Sequence, residues 1–247
     1  MKKILGILMI MLLAACGTKE ETKKEEQKTY VVGMSADFAP FEYREGGEIV
    51  GFDVDLAKEI EKQAGIKLEI QDIAFAGLLP ALQTGKIDAI ISGMSVTEER
   101  KKAVNFSKAY FNVSQVIIVK KDDTSITSGE DLPGKNVGVP LGTTSDTLAE
   151  GIEGINLTKY NKAYEAILAL NTSKIDAIIL DYQQAVNFVG QNPELKILPK
   201  ELAKEEYAIA ISKENTELLE KINGALDNII GSEFYQELLE KYIVENE

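Results

Sequence analysis

Arg100 closes the stretch SGMSVTEER (residues 92–100), whose residue types describe a helix start able to hold an anion. Ser95 and Glu98 have the spacing of a capping box, and Thr97 and the amides of the first turn are left without intrahelical partners. Such amides attract an anion, and the Arg100 guanidinium adds two parallel donors matched to a carboxylate. Arg100 also belongs to the run EERKK, the pattern of a solvated helix face. A second stretch, PLGTTSD (residues 140–146), repeats the geometry, with Gly142 permitting a turn and Thr143, Thr144 and Ser145 offering amides and hydroxyls. It lacks the Gly-Lys-Ser/Thr of a phosphate loop, and an ordinary helix cap is the alternative. Asp181 follows an apolar strand, with Gln184 three residues on, so a capping box would account for it too. A carboxylate opposite Arg100 would complement an ammonium group. One positive wall and one negative wall describe a zwitterion, an α-amino acid.

Composition narrows the chemistry. The 247 residues include no histidine and one cysteine, which removes the commonest general base and transition-metal ligand and leaves no Ser/His or Cys/His machinery. No cofactor or metal is expected, and binding is favoured over catalysis. A formal net charge of −13 repels phosphate backbones, so nucleic acid is not an expected partner.

The elements that must position these residues show an internal repeat. PALQTGKIDAIISG (residues 80–93) and LALNTSKIDAIILD (residues 168–181) align at an offset of 88 residues. Each reads as a helix followed by an apolar strand, and the match fails where the strands end, at Ser92-Gly93 against Leu180-Asp181. Around the first copy, strands over residues 30–34, 66–70 and 87–91 alternate with helices. One helix opens at Asp53 as N-cap and closes at Gly65. Around the second, strands over 114–120, 135–139, 175–180 and 207–212 alternate with helices over 143–150, 163–170 and 181–189. Helices over 216–230 and 232–244 close the chain. Two copies at this spacing imply two similar α/β lobes, not a solenoid. Ligands in open α/β sheets bind beyond the carboxyl ends of the strands, so residues 92–100 and Asp181 should face each other across a cleft. Phe38 and Phe75 could sandwich the apolar part of a ligand, whereas Phe41 and Phe52 read as core. Asp88 and Asp176, identical in both copies, read as structural.

The first residues read as a processing signal: Lys2-Lys3, an apolar run too short to span a bilayer, and small residues before Cys16. A signal peptide over residues 1–15, a lipidated Cys16 and a charged flexible tether over 16–28 are expected, with the body anchored to the membrane by lipid.

The stretches GMSADFAPFEY, GFDVDLAKEI, FAGLLPALQTGKIDAIISGMSVTEER, NFSKAYF, LGTTSD and IILD resemble the extracytoplasmic solute-binding proteins of polar amino-acid ABC importers, family 3, and the likeness runs over about residues 29–242. It implies a two-lobed periplasmic-binding-protein-like α/β fold of type II, with the ligand cleft between the lobes. Lobe 1 would comprise residues 29–112 and 206–247 and lobe 2 residues 113–205, the two crossing strands lying near residues 110–114 and 205–208. It implies a monomeric receptor, not an enzyme. The receptor would close over a free L-amino acid and deliver it to ABC permease subunits on the extracytoplasmic face of a bacterial membrane. Position by position, Arg100, the backbone of Gly93 and Ser95, and the Thr144 amide would hold the α-carboxylate. Asp181, the Gly93 carbonyl and the Ser95 hydroxyl would hold the α-amino group, with Met94 between them in the same loop. Phe38 and Phe75 would pack on the side chain. The chain departs from the family pattern at Ser35, often Asp in glutamine and basic amino-acid binders, and at Pro140, which is Lys in glutamine binders. Asp37 and Glu42 could serve a cationic side chain or simply face solvent. Similar folds also serve as cyclohexadienyl dehydratases, whose constellation of a positioned acid and a ring pocket is not evident here.

Overall fold

The computed structural model describes residues 28–243. The expected signal peptide, Cys16 and all of the tether but its last residue lie outside the described residues. The chain begins with β1 (Thr29–Met34), β2 (Asp37–Phe38), β3 (Glu42–Glu45) and β4 (Glu48–Val50). It continues through α1 (Phe52–Ala64), β5 (Lys67–Asp72), α2 (Phe75–Gln83), β6 (Ala89–Ile90), α3 (Glu98–Ala103) and the long β7 (Asn105–Lys120). A second series follows: β8 (Asn136–Pro140), α4 (Thr144–Glu150), β9 (Asn156–Tyr160), α5 (Ala163–Asn171), β10 (Ala177–Asp181), α6 (Tyr182–Gln191) and β11 (Leu195–Ile197). Strand β12 (Ala203–Ile211) and helices α7 (Thr216–Ile229) and α8 (Glu233–Tyr242) complete it.

One nine-stranded sheet runs through the molecule in the order β5-β1-β6-β12-β7-β10-β8-β9, with β11 pairing β7 off that path. The flanks are parallel, β5-β1-β6 on one side and β10-β8-β9 on the other. The antiparallel pair β7/β12 joins them, with Val113 opposite Glu205 and Phe111 opposite Tyr207. Apolar packing separates into the two lobes of this α/β fold. Tyr30, Phe41, Leu56, Ile60, Ile222 and Leu226 share one core. Further along β7, alternate residues enter two cores on opposite faces of the sheet, Val116 and Ile118 with Leu170 and Ile178, and Ile117 and Val119 with Val137 and Ile179.

Strand β7 is longer than its apolar run predicts. Its first half carries Ser107, Lys108 and Asn112, outside that run, and is held as strand by pairing with β12. Two caps also differ from expectation. Gly51, not Asp53, precedes α1, and Asp53 lies inside the helix, fully buried, accepting from the Gly93 N–H (2.8 Å) and the Tyr110 hydroxyl (2.9 Å). Thr97, not Ser95, caps α3, its hydroxyl accepting from the Arg100 N–H (3.1 Å).

The repeat performs one structural task twice. Asp88 accepts from the Val31 N–H (2.8 Å), and Asp176 accepts from the Asn136 N–H (2.8 Å) and side-chain amide (2.9 Å), each tying a repeat strand to its neighbour. Their backbone N–H groups return the bond to the carbonyls of Val31 and Asn136, both at 2.7 Å. Next in register, Gly33 and Gly138 make room for Ile87 and Ile175: a Cβ on either would stand 2.6 Å from the isoleucine Cδ1. Because both acids use the same pattern of backbone bonds, Asp88→Ala and Asp176→Ala should each destabilise the protein by roughly 1–3 kcal/mol. Urea denaturation of the two variants should show comparable losses. A loss at one site only would mean that the two copies are not mechanically equivalent.

Candidate functional site

The Arg100 wall is set by how the chain leaves β6. Ser95 forms a single antiparallel bridge with Tyr207, in which Val96 N–H donates to the Glu206 carbonyl (2.9 Å) and Ala208 N–H to the Met94 carbonyl (3.1 Å). In that pairing the N–H and C=O of Ser95 itself point away from β12, and Ser95 lines the cavity. The Ser95 carbonyl accepts from Arg100 Nη1 (2.8 Å), while Arg100 Nη2 reaches across the cleft to the Gly142 carbonyl (3.1 Å). The guanidinium lies over the Phe75 ring, 5.7 Å from its centroid. It forms no ion pair among the described residues; loss of water around it pulls its pKa down, with Glu205 and Asp181 pulling it back up. A half-buried cation held by two neutral carbonyls retains the capacity to meet a carboxylate.

The opposite wall comes from β7, α4, β10 and β12. Asp181 ends β10 as the N-cap residue of α6, yet its side chain makes no capping hydrogen bond, so the capping-box reading of Asp181 and Gln184 does not hold. The carboxylate instead accepts from Gln115 Nε2 (2.7 Å), whose own carbonyl accepts from the Ser145 hydroxyl (2.7 Å). Glu205 binds the Thr144 hydroxyl (2.7 Å) and lies 3.4 Å from Gln115 Nε2. Thr144 is the first residue of α4, behind the Thr143 cap, so its amide belongs to a first turn without intrahelical acceptors. Asp181 is buried with a neutral amide as partner and Glu205 nearby, and its pKa is pushed up to about 7, burial being the larger cause and Glu205 the next. Gln115 and Glu205 stand beside Asp181, and Gln184 lines the cavity and does not cap α6; none of the three was expected at the site. The one signal was Gln115, a fully buried polar residue inside the apolar run SQVIIVK.

Ser35, Phe38, Phe75, Gly93, Ser95 and Arg100 line one side of the cavity. Thr144 and Asp181 line the other, along with Pro140 and Gln184. Gly93 has φ 49° and lies against Phe38, where a Cβ would stand 2.3 Å from the ring, so the position demands glycine. Its amide is committed to Asp53 and is unavailable to a ligand carboxylate, contrary to expectation. Met94 stays apart from the cavity, packing with Leu78, Leu82, Ile90 and Val104. Phe41 and Phe52 are core, as expected. Glu42 is neither a cavity group nor solvent-facing: it is fully buried and accepts the Ser92 hydroxyl, beside Asp53. Asp37 does line the cavity, facing Lys162 at 3.7 Å.

The cavity between the two walls is narrow, about 40 Å³. A larger groove of about 710 Å³ runs along β7 and β12 past Lys101, Asn112, Tyr182 and Glu206, and neither Arg100 nor Asp181 lines it. No group of three or more Asp, Glu, Cys or His is placed to hold a metal ion among the described residues.

Holding Asp181 out of water costs stability. Its folded-state pKa of about 7 lies above the ordinary 3.8, so between these values the folded protein binds the extra proton and stability falls as pH rises. Above pH 7 the cost is complete. Asp181→Asn should therefore stabilise the amino-acid-free protein at pH 8 by up to about 4 kcal/mol, with the gain fading toward pH 4. Urea denaturation at the two pH values measures the difference, and an unchanged or lower stability at pH 8 would contradict the burial account.

Solved structures similar to this chain share its architecture. A mutant of ArgBP from T. maritima is 48% identical, with a TM-score of 0.84 over 88% of this chain and 96% of that one. An ancestral arginine-binding protein bound to arginine is 44% identical, with a TM-score of 0.84 over 88% of this chain and 99% of that one. The arginine-binding extracellular protein ArtP of Bacillus subtilis is 34% identical, and the alignment covers 98% of each chain. Over residues 30–245 the sequence matches the model of one family, and the chain belongs to the bacterial extracellular solute-binding proteins, family 3.

Proposed function

We propose that this protein is the amino-acid-binding receptor of an ABC importer, capturing a polar, arginine-like L-amino acid by closure of its lobes and delivering it to the membrane permease. One observation carries the reading: Arg100 and Asp181 stand on opposite walls of one cavity, and each is held by neutral partners. A zwitterion supplies both missing counter-charges at once. Its carboxylate would meet Arg100, the outward-pointing Ser95 N–H and the Thr144 amide, and its ammonium would meet Asp181. The relatives support the side-chain class, since ArtP and ArgBP are named for arginine and a Campylobacter jejuni relative, 34% identical over 99% of this chain, is a probable histidine-binding protein.

Closure follows from the same geometry. An amino acid touches both walls only when they are close, so it stabilises the closed form by its difference in affinity for the two forms. In this reading the lobes comprise residues 29–112 with 206–247 and residues 113–205, and the crossing of β7 and β12 is the hinge. A lipid on Cys16, a tether over residues 16–28 and a monomeric, non-catalytic body complete the proposal.

Arg100→Ala removes two charge-assisted donors, worth about 1.5–3 kcal/mol each. Affinity for the amino acid should fall at least about 100-fold in titration calorimetry while the circular dichroism spectrum is kept. A variant that titrates like the wild type would remove Arg100 from the site and the zwitterion reading with it.

A further inference from the structure

The cavity has a second charged end. Asp37, on β2, and Lys162, just before α5, face each other across the cleft with 3.7 Å between carboxylate and ammonium, and both line the cavity that holds Arg100 and Asp181. Lys162 and Asp72 act on the Asp37 charge, Asp37 acts in turn on the buried Glu42, and Glu205 and Asp181 are the leading charges on Arg100. Asp72 is itself paired with Arg44 at 2.6 Å, and the other Asp37 oxygen accepts the Ser35 hydroxyl at 3.0 Å. Lys162 is therefore the cation that Asp37 faces at this end of the cavity.

We propose that Lys162 is a resident counter-ion, displaced from Asp37 by a cationic ligand side chain, and that it sets how strongly the receptor favours cationic over neutral polar side chains. The pair suits an exchange. Its side chains are 48% and 29% exposed, and a pair of this kind is weak and readily remade. The lysine stem can carry the released ammonium into solvent. A guanidinium brings several donors to Asp37 in a planar fork, where the lysine offers a point charge. A neutral amide can lie between the two groups, accepting from Lys162 and donating to Asp37, and gains nothing from removal of the lysine. The inference rests on the amino-acid receptor reading and assigns the discriminating contact within it.

The test is calorimetric titration of L-arginine and L-glutamine into the wild-type protein, Lys162→Met and Asp37→Asn. Lys162→Met should raise the ratio of arginine to glutamine affinity about tenfold, and Asp37→Asn should lower it at least about tenfold, with no loss of fold by circular dichroism. A ratio unmoved by either substitution, or lowered by Lys162→Met, overturns the exchange and leaves the receptor reading standing. A wild-type protein that binds no amino acid overturns both.

Discussion

Two opposite charges that never meet organise this molecule. Arg100 gives its donors to two carbonyl oxygens, and the Asp181 carboxylate rests on a neutral amide. A charge taken from water without an ionic partner is costly, and here the cost shows in the raised pKa of Asp181. The protein could relieve it by letting the groups pair directly. Instead the Gly142 carbonyl occupies Arg100 on one side and Gln115 occupies Asp181 on the other, leaving a gap whose polarity is that of an α-amino acid.

The fold delivers this by using one unit twice and changing its end. Both copies present a buried strand whose neighbour is tied by an aspartate, Asp88 to Val31 and Asp176 to Asn136. Both pack an isoleucine against a glycine, Ile87 on Gly33 and Ile175 on Gly138. After that the copies diverge. The first ends in Ser92 and Gly93, where the absent side chain admits the Phe38 ring and the amide is anchored by Asp53. The second ends in Asp181, and the shared β7/β12 ribbon brings Gln115 and Glu205 beside it. Similar scaffolds thus carry different termini to the two sides of one cleft.

What the sequence made legible was local. Periodicity located the repeated helices and strands, and strand polarity placed their ends at a cleft. Residue type picked out Arg100 and Asp181, because a guanidinium and a carboxylate are the natural complements of a zwitterion. The failures arose where pairing is non-local. The first half of β7 mixes polar and aromatic residues without an apolar run and is held as strand by pairing with β12 nearly a hundred residues later. Gln115 and Glu205 approach Asp181 through that same register, which no local pattern encodes. Asp53 and Ser95 look like caps by spacing, yet one is a buried anchor and the other a bridge residue. Met94 sits between two cavity residues and turns the other way because it occupies the core side of the loop. Glu42 could not be distinguished from Asp37 by charge; burial separates them.

The central claim is that ligand binding forces Asp181 into its charged form. Titration calorimetry with L-arginine at pH 7, repeated in buffers of different ionisation enthalpy, counts the protons exchanged on binding. With the Asp181 pKa at about 7 before binding, about half a proton should leave the protein per ligand bound at pH 7, rising to about nine-tenths at pH 6. Tight binding at pH 7 with no proton released, or with a proton taken up, would contradict the account.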